Sequence, residues 1–130
     1  MRYIGIDYGG KRIGIAISDE AGIFAFPKET IPNDDSSIDR IGKLAEKERV
    51  GAFVFGDTLA DTGAANTITD EAMGFVKALA AHTKLPIHQV REAWSSSEAA
   101  RFAPDGVKRD DVAAAIILQR FLDVHKDDSA

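Results

Sequence analysis

Two short strands joined by a glycine turn, with a carboxylate closing the first, constrain this chain more than any other feature. Residues 2–7 (Arg-Tyr-Ile-Gly-Ile-Asp) and 12–18 (Arg-Ile-Gly-Ile-Ala-Ile-Ser) flank Tyr8-Gly9-Gly10-Lys11, a connection of hairpin length. Strand side chains alternate, so Tyr3, Gly5 and Asp7 take one face and Ile4 and Ile6 the other. Residues 22–26 (Gly-Ile-Phe-Ala-Phe) read as a third short strand after the turn Asp19-Glu20-Ala21. The chain therefore opens as an antiparallel meander.

The period then changes. Ile38, Ile41, Leu44 and Ala45 recur at helical spacing, and Ser36 with Asp39 has the pattern of a capping box. Residues 50–56 (Val-Gly-Ala-Phe-Val-Phe-Gly) are a continuous apolar run, as in a strand buried on both faces. Ile68, Ala72, Phe75, Val76, Leu79 and Ala80 make a second helical stripe. Residues 86–90 read as a short strand, Ser95 and Glu98 cap a brief helix to about residue 102, and residues 108–122 form the final helix. The order β-β-β-α-β-α-β-α-α predicts an α/β fold, a five-stranded mixed sheet flanked by helices on both faces. One domain over residues 1–123 and a polar tail over 124–130 are expected.

A chain of 130 residues holds one such domain. It has no cysteine, which removes disulfides and thiolate zinc sites together. It has no signal-peptide pattern and no apolar run near the ~18 residues of a membrane span, so a cytoplasmic location without a membrane partner is expected. The net charge of −5 argues against a protein that coats nucleic acid through a basic face. It leaves room for a metal-dependent nuclease, because ligand carboxylates are negative by design and bound cations reverse the local sign.

Ligands of mixed α/β sheets sit beyond the carboxyl ends of the parallel strands, and acids from three remote segments are candidates to converge there. Asp7 ends the first strand beside the glycine turn, although Asp also stabilises turns. Glu92 directly follows the fifth strand. Asp110 and Asp111 open the last helix, where negative charge also suits the helix dipole. Asp110, Ala114, Ile117 and Phe121 share the middle of that helix's apolar face, and Asp111 lies at its edge. An inward carboxylate needs a partner. Hard oxygen ligands fit Mg²⁺ or Mn²⁺, and two such ions about 4 Å apart can promote phosphodiester hydrolysis. Asp7, Glu92 and Asp110 are thus the candidate catalytic and metal-binding residues, with Asp111 an auxiliary ligand. Lys11 and Arg12, beside Asp7, are candidates for phosphate contact or for a solvated turn and strand edge.

A match to the phosphate loop fails. Gly5, Gly10 and Lys11 have its Gly-x₄-Gly-Lys spacing, but Arg12 stands where Ser or Thr would meet magnesium, and a strand follows where a helix should begin. His82, His88 and His125 have no paired ligand spacing.

Residues 7–19, Asp-Tyr-Gly-Gly-Lys-Arg-Ile-Gly-Ile-Ala-Ile-Ser-Asp, resemble the N-terminal signature of the YqgF (RuvX) family. Residues 110–119, Asp-Asp-Val-Ala-Ala-Ala-Ile-Ile-Leu-Gln, are similar to that family's closing helix. The resemblance implies a ribonuclease H-like fold, catalytic acids at Asp7 and Asp110, and activity as a pre-16S rRNA nuclease or a Holliday-junction resolvase-like protein. The family's middle motif reads Asp-Glu-Arg, an apolar residue, then Ser-Thr; here it is Arg91-Glu92-Ala93-Trp94-Ser95-Ser96, which keeps the Glu and changes both neighbours.

The expected function is a divalent-metal-dependent endonuclease for structured RNA or branched DNA. The alternative is a noncatalytic nucleic-acid or ribosome-assembly module of the same fold, to which the altered middle motif and the acidic charge point. Monomer and homodimer are both open, since no stretch announces a dimer interface.

Overall fold

The computed structural model describes residues 1–57, 70–90 and 110–125. Their elements are β1 (Arg2–Tyr8), β2 (Arg12–Ser18), β3 (Ala25–Pro32), α1 (Ser37–Lys47), β4 (Val50–Asp57), α2 (Asp70–Thr83), β5 (Ile87–Val90) and α3 (Asp110–His125). The strands form one sheet in the order β3-β2-β1-β4-β5. β1 is antiparallel to β2 and parallel to β4, and β4 is parallel to β5. This is the expected mixed five-stranded sheet, and β1, β4 and β5 all point their carboxyl ends the same way. The expected helix over residues 95–102 lies outside the described residues.

Strand alternation divides the core in two. Ile4, Ile6, Tyr8, Ile13, Ile15, Phe53 and Phe55 pack with Ile41, Ala72, Val76 and Leu79, so α1 and α2 cover one face. Ala16 and Val54 pack with Ala114, Ile117, Leu118 and Phe121, so α3 covers the other. The α3 face carries small residues where the helix crosses. A Cβ on Gly5 would lie 2.7 Å from the Leu118 Cβ, and one on Gly56 would lie 2.7 Å from the Ile117 Cδ1. The helix therefore lies closer to the sheet than ordinary side chains would permit.

The third strand departs from expectation. It spans Ala25–Pro32 rather than 22–26. The preceding turn is longer because the Asp19 Oδ1 accepts the backbone N–H groups of Ile23 and Phe24 at 2.8 and 3.1 Å, with Gly22 at a φ of 71°. The Pro27-Lys28-Glu29-Thr30 stretch looks unlike a strand because it is an exposed edge, where proline and charge are tolerated and discourage further pairing. The capping box also fails to form. Ser36 has helical backbone angles and makes no side-chain cap bond; the Asp34 Oδ1 instead accepts its N–H at 2.9 Å. Among the described residues the last helix spans Asp110–His125, three residues beyond the end that the apolar pattern suggested; its expected start at residue 108 lies outside the described residues.

The turn at Asp19 yields a first prediction. Its carboxyl titrates below the ordinary 3.8 because the Ile23 and Phe24 amides donate to the ionised form. A depressed folded value contributes stability above the unfolded value, and that contribution is lost as pH falls through the folded one. Asp19→Ala should lower Tm by about 3 °C at neutral pH. Scans repeated below pH 3.8 should show the gap closing; a gap of constant size would dissociate the loss from the ionised carboxylate.

Candidate active site

β1 ends where the sheet delivers its first acid. Asp7, on the α3 face with Gly5, is 2% exposed. Its cross-strand neighbours are Gly14 on β2 and Gly56 on β4, so both flanking positions on that face lack a side chain. The next strand out places Val90 beside Gly56. Asp7, Gly56 and Val90 thus form one row across the carboxyl ends of the parallel strands.

The first residue of α3 occupies the space left by Gly14. A Cβ on Gly14 would stand 1.9 Å from the Asp110 carbonyl oxygen and 2.9 Å from the Asp110 Cβ. The helix start is therefore seated against the residue opposite Asp7. Asp110 is 8% exposed, as its place on the inward stripe predicted. Asp111 is only partly buried, and its Oδ1 accepts the adjacent Val112 N–H at 3.0 Å. Two acids far apart in sequence are brought to one end of one face by a glycine adjacent to neither of them along the chain.

Arg12 joins the pair from the side. Its Nε donates to the Asp110 Oδ2 at 2.9 Å. That hydrogen bond, and then the Asp110 charge, raise the guanidinium's hold on its proton. Lys11 is exposed in the turn. The turn itself is held by a residue that sequence reasoning missed: the Asn33 side chain donates to the Gly9 carbonyl at 2.8 Å, and the Asn33 N–H donates to the Lys11 carbonyl at 3.0 Å. An Asn twenty-four residues downstream gives no signal for this in the sequence. Gly14 is legible only as part of the signature, without its reason.

Glu92 lies outside the described residues, as do Arg91, Ala93 and Trp94. Among the described residues, no three His, Cys, Asp or Glu side chains gather as a metal site. The histidines sit elsewhere: His88 and His125 pack on the Phe121 ring at 5.0 and 4.2 Å, and His82 lies 3.9 Å from Asp39. What the site presents is two buried carboxylates from two elements, with a guanidinium at its rim. Carboxylate oxygens are the donors that hard divalent cations prefer, so the residues present fit Mg²⁺ or Mn²⁺.

The model of the family described as RuvX, Holliday junction resolvase, matches residues 1–124. The chain belongs to the RuvX family. Among curated RuvX relatives, a protein of Oleidesulfovibrio alaskensis named "Putative pre-16S rRNA nuclease" is 36% identical over 98% of this chain and 95% of its own length. One of the same name from Nitratidesulfovibrio vulgaris is 37% identical over 95% of this chain and 94% of its own. The fold is that of RuvC, which is ribonuclease H-like. Thermus thermophilus RuvC matches with a TM-score of 0.59 at 14% identity, covering 98% of this chain and 97% of that one. The same enzyme in complex with a Holliday junction substrate matches with a TM-score of 0.58 at 17% identity, covering 97% and 96%.

Proposed function

We propose that this RuvX-family chain is a divalent-metal-dependent endonuclease that hydrolyses phosphodiester bonds in structured nucleic acid. The observation that carries the reading is the seating of Asp110 against Gly14, directly across from Asp7. It collects two buried carboxylates at the sheet end where ligands of such folds bind. Asp7, Glu92 and Asp110 are the catalytic and metal-holding set, with Asp111 as an auxiliary ligand. Glu92 follows Val90 by two residues, and Val90 stands in the row of Asp7, which supports this assignment. A pair of Mg²⁺ or Mn²⁺ ions, when bound, supplies charge stabilisation to the attacking and leaving oxygens. The carboxylates hold and orient that charge. Lys11 and Arg12 take the backbone phosphate, with Arg12 suited to a fork-like contact. Water adds across one P–O ester bond, and the low exposure of Asp7 and Asp110 keeps bulk solvent from competing for the site.

The relatives' names point to pre-16S rRNA as the substrate, and the family description points to a four-way DNA junction; both present a structured phosphate backbone to the same acids. The site of action is cytoplasmic. No helix among the described residues is long and apolar enough to cross a membrane. A second reading, a noncatalytic nucleic-acid or ribosome-assembly module, is favoured by one observation, the replacement of both neighbours of Glu92 by Arg91 and Ala93.

The deciding experiment incubates the full chain with labelled structured RNA and with a synthetic four-way junction, in Mn²⁺ or in EDTA. Metal-dependent cutting is expected, and the preferred substrate chooses between the two descriptions. Intact substrate in Mn²⁺, together with no heat of Mn²⁺ binding, would replace the enzyme by the module.

A further inference from the structure

Arg12 and Asp110 form an asymmetric pair. The Asp110 side chain is 10% exposed and that of Arg12 is 60% exposed. The carboxylate is thus fixed within the protein, and the guanidinium reaches it from the solvent side. Contact is through the inner nitrogen, Nε, to Oδ2 at 2.9 Å. Arg12 opens β2 on the face that carries Gly14 and Ala16, which α3 covers, so its stem starts beside the acids. An ion pair with one partner in solvent is weak and exchanges readily.

Two competitions follow from this geometry. A guanidinium at hydrogen-bond distance occupies one oxygen of Asp110 and repels any second cation approaching that carboxylate. A phosphodiester is itself a strong acceptor for a guanidinium and arrives from the side on which Arg12 is exposed. We infer that Arg12 couples nucleic-acid binding to metal binding: its contact with the Asp110 Oδ2 competes with a divalent cation while substrate is absent, and its transfer to a substrate phosphate removes that competition, so that the cation is held more tightly. The inference rests on the metal-dependent nuclease reading and deepens it. Linkage makes the effect reciprocal, so bound cation also strengthens the hold on nucleic acid. An enzyme built this way carries metal loosely between substrates and firmly on them.

The test is a calorimetric Mn²⁺ titration of the full chain, wild type beside Arg12→Ala and Arg12→Lys. Each is measured alone and with a saturating phosphorothioate hairpin, which keeps the backbone charge and resists cleavage. Alone, Arg12→Ala should bind Mn²⁺ about fivefold more tightly than wild type, the gain available from removing an exposed competing pair. The hairpin should tighten Mn²⁺ binding to wild type by about tenfold and to Arg12→Ala by less than about twofold. Arg12→Lys, which keeps the charge without the Nε contact, should fall between them. Arg12→Ala binding Mn²⁺ no better than wild type, or a wild-type affinity unmoved by the hairpin, overturns the coupling while leaving the nuclease reading intact. Absence of Mn²⁺ binding in every protein and condition removes the metal-dependent reading and the coupling together. Should Arg12→Ala lose its circular-dichroism spectrum, Arg12→Gln carries the same comparison.

Discussion

Asp7→Asn should abolish metal-dependent cleavage, by about a thousandfold or more, and leave the fold standing. Loss of one transition-state electrostatic partner commonly costs about 10²–10³ in rate, and on the proposed reading Asp7 would hold the metal that supplies this stabilisation, which places it at the top of that range. Asn has the shape of Asp, so the buried position is refilled without a cavity, and the 2% exposed site keeps its packing. The distinguishing readout is thermal. Mn²⁺ at about a hundred times its Kd should stabilise wild type by about 2.7 kcal/mol, because a ligand bound only by the folded state shifts the equilibrium by mass action. The Asn variant should show little of that shift. Asp111→Asn is the internal contrast: its carboxylate is partly exposed and accepts the Val112 N–H, so as an auxiliary ligand it should cost far less of both the rate and the metal shift than Asp7→Asn does. Equal damage from the two substitutions would mean that Asp111 holds the metal on equal terms with Asp7 and is no auxiliary ligand.

That contrast is legible in the sequence, and the reason is periodicity. The alternation of Tyr3-Ile4-Gly5-Ile6-Asp7 puts Asp7 on the face opposite the isoleucines, and the structure seats Ile4 and Ile6 against α1 and α2. The spacing of Asp110, Ala114, Ile117 and Phe121 puts Asp110 on the buried stripe of α3, where it is found. Local patterns report which way a side chain faces within its own element. They do not report which element lies across from it. Gly14 looks like one more small residue in a strand, because its meaning is a contact with a helix near the other end of the chain. Asn33 is silent for the same reason. β3 is misplaced by its composition because an edge strand reverses the usual pattern: Pro27, Lys28 and Glu29 suit a strand whose outer side must not pair. The Arg12–Asp110 pair is hidden as well, since two opposite charges at distant positions are common in any sequence and only the register of β2 against α3 joins these two.

The second large effect tests that register directly. Gly14→Ala adds one methyl group where a Cβ would stand 1.9 Å from the Asp110 carbonyl oxygen and 2.2 Å from its carbon. Ordinary contact begins near 3.4 Å, so the first turn of α3 or the strand must move by about 1.5 Å, the difference between 3.4 and 1.9. The obstacle is backbone, which cannot rotate away as a flexible side chain would. Overpacking of a close contact costs about 1–3 kcal/mol, and this site belongs at the upper end because both partners are fixed within regular elements. Activity should suffer more than stability. A displacement of about 1 Å at a reacting centre costs on the order of a hundredfold, and here one of two collected carboxylates moves relative to the other. Gly14→Ala should therefore remain folded at low temperature, unfold at lower denaturant, and cut at about one hundredth of the wild-type rate. Gly10→Ala is the control for adding a methyl group near the turn. Its Cβ would meet nothing within 4 Å, so denaturant midpoints should be nearly unchanged. A Gly14→Ala protein with wild-type cleavage and stability would mean that α3 can be seated elsewhere, and that Asp7 and Asp110 do not depend on this glycine for their meeting.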